Sequence, residues 1–408
     1  MILIYMNTME WGGVDQFVTG FAHYLRAAGR EFAILDRQGS RLRSDLPWAA
    51  FVTSDNVATL KGRVTQIFLP SISKVIDPEL PWSVAADATV FTWVVQKNDA
   101  LYQYFPHSQR IVRRFGFAAV PWLFRLLSSY RKRIDALFQV MLDRRAMAFM
   151  DSVTVSAFRF FYPAVRFEPA YIPIPAAVGD SIDARAPDDG PFTFGYLGRV
   201  DAFKFSALGP FVAHQLSAIA KARPVRLLAI TAGTHEAALR QVCAGAGVEL
   251  DLRGFMPNTE ARMVMRQEAH LGVAMGTAAL DMAATGLPCV FLDPAEKPGW
   301  PAQTSYRFVH ESSDYMLGEW RDFPAYAGGV RSLSETIDMV KRDAGVGERG
   351  REHVRRVHSP DRVHAMLLSA IEGSAVTMRE LEPIAKTVTN ANARDLAFFA
   401  RMRRVVER

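Results

Sequence analysis

The sequence has almost no cysteine. Only Cys243 and Cys289 occur in 408 residues, one in a helix-like stretch and one in a strand-like stretch, without the spacing of a zinc site. A disulfide framework is therefore excluded, and two isolated thiols suit a reducing compartment. Long apolar runs are also missing. No window reaches the roughly 18 uninterrupted apolar residues of a spanning helix. The opening MILIYMNTMEWGG lacks the basic-then-apolar layout of a secretory signal. The expected setting is cytoplasmic, with a peripheral place on the inner face of the cell membrane as a further option. The dinucleotide fingerprint G-x-G-x-x-G is absent after the first strand, which leaves an oxidoreductase poorly supported. No low-complexity tract or solenoid repeat occurs.

The charge is unevenly spread. The net +6 lies wholly in residues 1–170, which carry 20 Lys/Arg against 14 Asp/Glu, while residues 171–408 carry 28 of each. Within 110–145, nine basic residues meet only Asp135 and Asp143. A nucleic-acid footprint would be a broad stripe over a groove. A single basic segment points instead to a local anionic partner, and no nucleic acid is expected.

Half of the residues are hydrophobic, and the length suits two domains with cores of their own. Strand-like runs at 2–6, 31–35, 49–52, 64–69, 88–93 and 151–156 alternate with helical patterns, including a long one over 134–150. Residues 176–190 are small, polar and acidic after Tyr171-Ile-Pro-Ile-Pro175, a linker signal. The alternation then restarts: strands at 192–197, 226–231, 248–252, 271–275 and 288–292 are separated by helices near 208–221, 236–244, 259–268 and 278–284. This predicts an α/β protein with two doubly wound parallel sheets. The expected domains are 1–175, 191–375 and a helical tail, 376–408, that packs back on the first domain.

Three motifs carry chemistry. Gly198-Arg199 with Lys204 follows a buried strand, and such loops at the carboxyl edge of a parallel sheet face ligand crevices. Arg offers a fork to phosphate oxygens and Lys a point charge. Next, Met275-Gly-Thr-Ala-Ala-Leu-Asp281-Met-Ala-Ala-Thr-Gly286-Leu-Pro288 reads as strand, Gly-Thr turn, helix and stop, with the turn's N–H groups as an anion site. Asp281 stands one turn further, where a carboxylate can accept two ribose hydroxyls. Third, Gly12-Gly13 after the first strand lets backbone approach a ligand closely. No D-x-D occupies a suitable loop, since Glu249-Leu-Asp251 falls inside a strand, and the nine histidines show no ligand spacing. No metal is expected.

In this order the motifs resemble the nucleotide-sugar glycosyltransferases of GT-B fold, most of all the retaining family 4. The matching stretches are MILIYMNTMEWGGVDQFVTGFAHYLRAAGREFAIL, FGYLGRVDAFKF, Leu252-Arg-Gly-Phe-Met, DMAATGLP and REHVRRVHSPDRVHAMLLSAI. The resemblance spans roughly residues 1–375. It implies two Rossmann-like domains facing across a cleft, a UDP- or GDP-sugar donor and no further cofactor. Arg199 and Lys204 would bind the donor diphosphate and assist its departure. Asp281 would bind the ribose, and Gly276, Thr277 and Ala278 the phosphate or donor sugar. Gly12 and Gly13 would approach the phosphate from the first domain, while Phe255 and Met256 fall in the base-binding segment. Two departures stand out. The family's first acidic residue is replaced by Val273, and its first-domain His is missing from TWVVQKNDALYQYF, where Asp99, Asn98 and Gln96 are the candidates to stand in.

The segment 110–133, RIVRRFGFAAVPWLFRLLSSYRKR, combines aromatics with basic borders. That pattern suits an anionic membrane surface and a glycan or lipid-linked acceptor, with Phe117, Trp122 and Phe124 as the apolar contacts. The reading is a glycosyltransferase of bacterial surface-polysaccharide or lipopolysaccharide assembly. The rivals are a catalytically silent partner protein of the same fold and a nucleotide-sugar epimerase.

Overall fold

The computed structural model describes residues 1–6, 13–77, 79–96, 99–105, 108–179 and 190–389. Gly12, Asn98, most of the expected linker and the tail from 390 lie outside them. The chain forms two compact units: Met1–Ile111, Ala119–Ile174 and Pro360–Arg408 make unit 1, and Val112–Ala118 with Pro175–Ser359 makes unit 2.

Unit 1 is built on six parallel strands: β1 (Ile2–Tyr5), β2 (Phe32–Leu35), β3 (Phe51–Val52), β4 (Gln66–Leu69), β5 (Thr89–Val94) and β6 (Met147–Phe149). Their spatial order is β3-β2-β1-β4-β5-β6. The strands are short, and β1 is buried throughout, as a parallel sheet covered on both faces requires. The helix Gly13–Ala27 buries Phe17, Phe21 and Leu25 at helical spacing and stops before Gly29, whose φ is +64°. Phe17 packs against Trp93 at 4.4 Å between ring centroids.

The helix Pro360–Gly373 closes this core. His364 lies among Phe17, Phe21 and Tyr24, with ring centroids at 5.7, 5.9 and 5.6 Å. Beyond that helix, Val376 O accepts from Val90 N (2.9 Å), and Met378 N donates to Ala88 O (2.9 Å). The last crossing into unit 1 thus comes at Pro360, earlier than the expected 376, because the apolar face of the helix after Pro360 belongs to the first core.

Unit 2 has five parallel strands, β7 (Phe192–Leu197), β8 (Val225–Ile230), β9 (Glu249–Arg253), β10 (Leu271–Ala274) and β11 (Cys289–Phe291), in the order β11-β10-β7-β8-β9. Glycine permits the close packing. A Cβ on Gly195 of β7 would stand 2.7 Å from Met265 Sδ, on the helix Asn258–Glu268 that covers the sheet. Both cysteines are free and buried.

Four expectations need correction. Residues 151–156 are not a strand. Asp151 caps the helix Ser152–Phe161, its Oδ1 accepting from Thr154 N at 2.7 Å, and the strand is the preceding β6. The β-branched run disguised a capped helix start. The long helix is Ser128–Asp143 and so ends before that strand. In the basic segment, Phe117 and Phe124 are buried, and only Trp122 of the three expected contacts is exposed. Finally, residues 112–118 belong to unit 2. There Phe117 stacks on Trp320 (5.1 Å) and meets Phe323 edge-on (5.2 Å), and Arg113 Nε lies 3.5 Å from Glu296 Oε2. Aromatic side chains read as a surface patch found an apolar slot instead.

Burial lowers the pKa of His364 from 6.5 to about 4, against the raising influence of Asp361. The fold thus favours the neutral imidazole, whereas the unfolded chain protonates it near the ordinary value. This contribution to stability is full above pH 6.5 and is lost as pH falls towards 4. The loss amounts to about 3 kcal/mol. Urea unfolding at pH 7 and at pH 4.5 should register it, and His364→Leu should remove its share. The same pH dependence in both proteins would exclude His364 as the cause.

Candidate functional site

In unit 2 the chain starts at the centre of the sheet, adds β8 and β9 on one side, then crosses to add β10 and β11 on the other. The reversal opens a crevice outside the carboxyl ends of β7 and β10, the place where open α/β sheets bind ligands. The segments leaving those two ends carry Gly198–Lys204 and Gly276–Asp281. Two motifs 78 residues apart, counted from Gly198 to Gly276, therefore leave adjacent strands, β7 pairing with β10 through Phe194↔Leu271 and Gly195↔Gly272.

Gly198 has φ +137°, a conformation that strongly favours glycine. A Cβ there would meet Lys204 Nζ at 3.0 Å and Tyr196 Oη at 3.8 Å. The glycine thus lets the ammonium lie against the strand end. Tyr196, itself buried, donates to Arg199 O at 3.0 Å and so fixes the turn, leaving the Arg199 side chain exposed.

Lys204 is not in the loop, as its sequence setting suggested. It lies in the first turn of the helix Ala202–Pro210, where its N–H donates to the capping Asp201 Oδ1 at 2.9 Å. Burial draws its pKa below the usual lysine value. Asp201 opposes that shift and Arg199 adds to it. A half-buried cation of this kind interacts more strongly with an arriving anion than one in open water.

Across the crevice, Gly276 (φ +63°) opens the helix Thr277–Ala283. Its N–H is already donated to Leu317 O at 3.1 Å, so it is not the ready anion donor that the sequence suggested. Thr277 is exposed and Ala278 half-buried. Asp281 is mostly buried, and burial pushes its carboxyl above the usual range. Arg262, with Nη1 3.9 Å from Oδ1, and a hydrogen bond from Asn258 oppose this. Val273, at the position of the expected first acid, is wholly buried in β10 and cannot reach a ligand. After β9, Phe255 is 86% exposed and Met256 half-buried. The sequence Glu249-Leu-Asp251 is structural: Asp251 and Glu268 grip Arg253 at 2.7 and 2.6 Å.

In unit 1, Gly13 begins the first helix and is exposed, and Asp99 begins the short helix Asp99–Tyr102. Among the described residues no group of His, Cys, Asp or Glu has the arrangement of a metal site.

Other contributors gave little sequence signal. Gly233, after β8, lies so close to the Val200 carbonyl that a Cβ would overlap it. The two loops are joined there by Val200 N to Ala232 O (3.2 Å) and His235 N to Val200 O (3.0 Å). The irregular segment from Leu292 to Ser332 borders the crevice. Within it, Arg321 donates to Asp293 O (2.8 Å) and to Ser206 O (3.0 Å), and Asp293 Oδ1 accepts from Glu319 N (2.8 Å). Only Asp201 was findable, because an Asp three residues before Lys204 is a helix-start signal.

No protein-family model matches the chain, and no curated protein matches it. Solved structures do. The lipopolysaccharide outer core galactosyltransferase WaaB, in its apo form, aligns with a TM-score of 0.55 at 11% identity over 91% of this chain and 98% of that one. Anabaena HepE, in complex with UDP-glucose, aligns with a TM-score of 0.51 at 12% identity over 90% of this chain and 99% of that one. At such identities the likeness speaks for the fold, and the fold is that of the GT-B glycosyltransferases.

The Gly233 contact yields a test. Gly233→Ala must push the Val200 loop away and should cost about 1–3 kcal/mol, as overpacking does. Gly245→Ala, in the helix Glu236–Ala246 with nothing within 4 Å of its Cβ, should be neutral or stabilising by up to about 1 kcal/mol. Chemical denaturation of both variants reads the contrast. Equal stability would mean that the loops can part freely.

Proposed function

We propose that this chain is a glycosyltransferase that moves a sugar from a nucleoside-diphosphate donor, UDP- or GDP-linked, to a glycan or lipid-linked acceptor in bacterial surface-polysaccharide assembly. One observation carries the reading: the switch-point crevice of unit 2 gathers a half-buried Lys204, an exposed Arg199 and the positive-φ Gly198 beside the Gly276 turn. Charge develops on the diphosphate as the sugar leaves, and two cations already placed at the crevice stabilise that charge. They can supply the neutralisation that a divalent ion supplies elsewhere, so the transfer is read as metal-independent. Retention of configuration belongs to the same proposal. Phe255 offers a bare ring for the base, and Asp281 a carboxylate for the ribose. The lipopolysaccharide galactosyltransferase and the UDP-glucose complex that share the fold agree with this donor and acceptor chemistry.

A second reading has an observation in its favour. Asp281 is engaged by Arg262 and Asn258, and Val273 leaves no first acid. A silent partner protein of the same fold would have both features. Release of free sugar or transfer product from a labelled donor separates the two readings.

The acceptor side of the proposal includes an anionic membrane surface. In unit 1, Trp122 (53% exposed) and Leu126 (46%) lie one turn apart on the helix Val120–Leu126. Arg125 lies beside them, and Lys132 and Arg133 are exposed on the next helix. An apolar pair with a basic rim suits a headgroup layer, where the rings enter and the cations meet lipid phosphate. Among the described residues no helix is long and apolar enough to cross a membrane.

Two measurements test these statements. The true donor nucleotide should raise the melting temperature by mass action, and Arg199→Ala and Lys204→Ala should each abolish the rise. No rise with any nucleoside diphosphate would favour the silent reading. Separately, the protein should float with phosphatidylglycerol vesicles at low salt, and Trp122→Ser with Leu126→Ser should stop it. Sedimentation of the unaltered protein would end the membrane assignment.

A further inference from the structure

The helix that carries Lys204 is interrupted by its own sequence. Pro210 ends the helix Ala202–Pro210, and the chain runs on directly into the π-helical stretch Phe211–Leu216. In an α-helix the N–H of residue 210 would donate to Ser206 O, four residues back. Proline has no N–H, and its ring crowds that carbonyl. The next donor, Phe211 N, goes to Ala207 O and Leu208 O instead. The hydrogen-bond ladder therefore lacks a rung at Ser206, and a proline of this kind is where helices bend. The arm before the bend, residues 202–209, holds Lys204, with Asp201 capping its first turn.

The freed carbonyl finds its partner 115 residues later. Arg321 Nη2 donates to Ser206 O at 3.0 Å, its Nε donates to Asp293 O at 2.8 Å, and its backbone N–H donates to Pro294 O at 2.9 Å. The guanidinium is buried. Burial draws its pKa below the usual arginine value, which Tyr326, Asp293 and Asp322 oppose. Ser206 is held a second time, since its hydroxyl lies 2.7 Å from Phe203 O and 3.0 Å from Ala295 O and can donate to either. The segment after β11 is itself braced where it makes these bonds. Asp322 accepts from Glu296 N (3.2 Å) and Lys297 N (2.8 Å), and the Trp300 indole donates to Arg321 O (3.1 Å). A planar guanidinium that spans two carbonyls fixes direction as well as distance.

We infer that Arg321 is a positioning residue for Lys204: it supplies the hydrogen bond that Pro210 removes, and so sets where the proline-hinged arm holds the ammonium at the end of β7. Arg321 need not touch a ligand to do this. The Asp201 cap ties the arm to its own loop, and Arg321 ties it to the segment after β11. Without the second tie the arm pivots at Pro210 and carries Lys204 off the strand end, where Gly198 makes room for its Nζ. The inference deepens the proposed function. It rests on that reading only for the assignment of Lys204 to the donor phosphate.

Arg321→Met and Pro210→Ala, alone and together in the full chain, test it. Pro210→Ala restores the N–H, so that Ser206 O no longer depends on Arg321. Affinity for UDP should fall about tenfold in Arg321→Met, stay within about twofold in Pro210→Ala, and recover most of the loss in the double variant, as coupling through a shared partner requires. A loss in Arg321→Met that came only from general loosening would persist in the double variant. Equal losses with and without Pro210→Ala, or full affinity in Arg321→Met, would overturn the inference. If Arg321→Met does not fold, Arg321→Lys, which keeps the charge but lacks the fork, takes its place with the same expectations. A readout without ligand separates this from the transferase reading. With the lysines isotopically methylated, the nuclear magnetic resonance signal of Lys204, assigned through Lys204→Arg, should titrate below the usual lysine range in the unaltered protein. It should move up towards that range in Arg321→Met, as the arm releases the ammonium to water, and return in the double variant. A signal that stays in place in Arg321→Met would overturn the inference. If the signal moves and returns while no nucleoside diphosphate binds, Arg321 positions Lys204 as inferred and the transferase assignment falls.

Discussion

The molecule's capacity to hold a ligand depends on one constraint of parallel sheets. Each strand needs a crossover before its neighbour, and crossovers are almost always right-handed. A chain that starts in the middle of its sheet must therefore reverse its direction of travel once. The loops on either side of the reversal leave in opposite directions, and a gap opens between them. Both units start in the middle. Once that is so, the side chains that follow β7 and β10 become neighbours whatever their distance in sequence. Glycines at Gly195, Gly233 and Gly347 then remove the Cβ atoms that would hold a helix from a strand, one loop from another and a helix from a turn.

Much of this was legible in the residues. The strand Phe192–Leu197 falls where its apolar run indicates, and the alternation of strand and helix gives two parallel sheets. Motif order gave the fold family because Gly, Arg, Lys and Pro mark turns and helix starts at fixed offsets. What failed had a physical cause. Val153, Thr154 and Val155 are β-branched, yet the Asp151 cap outweighs their propensity. Phe117 and Phe124 resemble a membrane face in sequence, but a chain cannot announce that an apolar slot awaits a ring.

The site was less legible than the fold. Lys204 and Arg199 stood out because cations near a strand end are conspicuous. Lys74 did not, because only the strand order brings it over Tyr5. The segment after β11 was invisible for a similar reason. Its Asp293, Glu319 and Arg321 are charged yet buried, and each bonds to backbone: Asp293 accepts from Glu319 N, Glu319 from Gly328 N, and Arg321 donates to Asp293 O. Buried polar groups of this kind specify one loop conformation, since each left unpaired would be costly.

The chain's path through unit 1 has a consequence for its biosynthesis. The helix Pro360–Gly373, which brings His364 against Phe17 and Phe21, is translated after nearly all of unit 2. Domains usually mature from the amino terminus as they leave the ribosome. Here the amino-terminal core must wait, its first helix uncovered, until the later unit has emerged. An arrested nascent chain ending before residue 360 would hold an unfinished first unit, and a chaperone would find it by the aromatic face that His364 later covers.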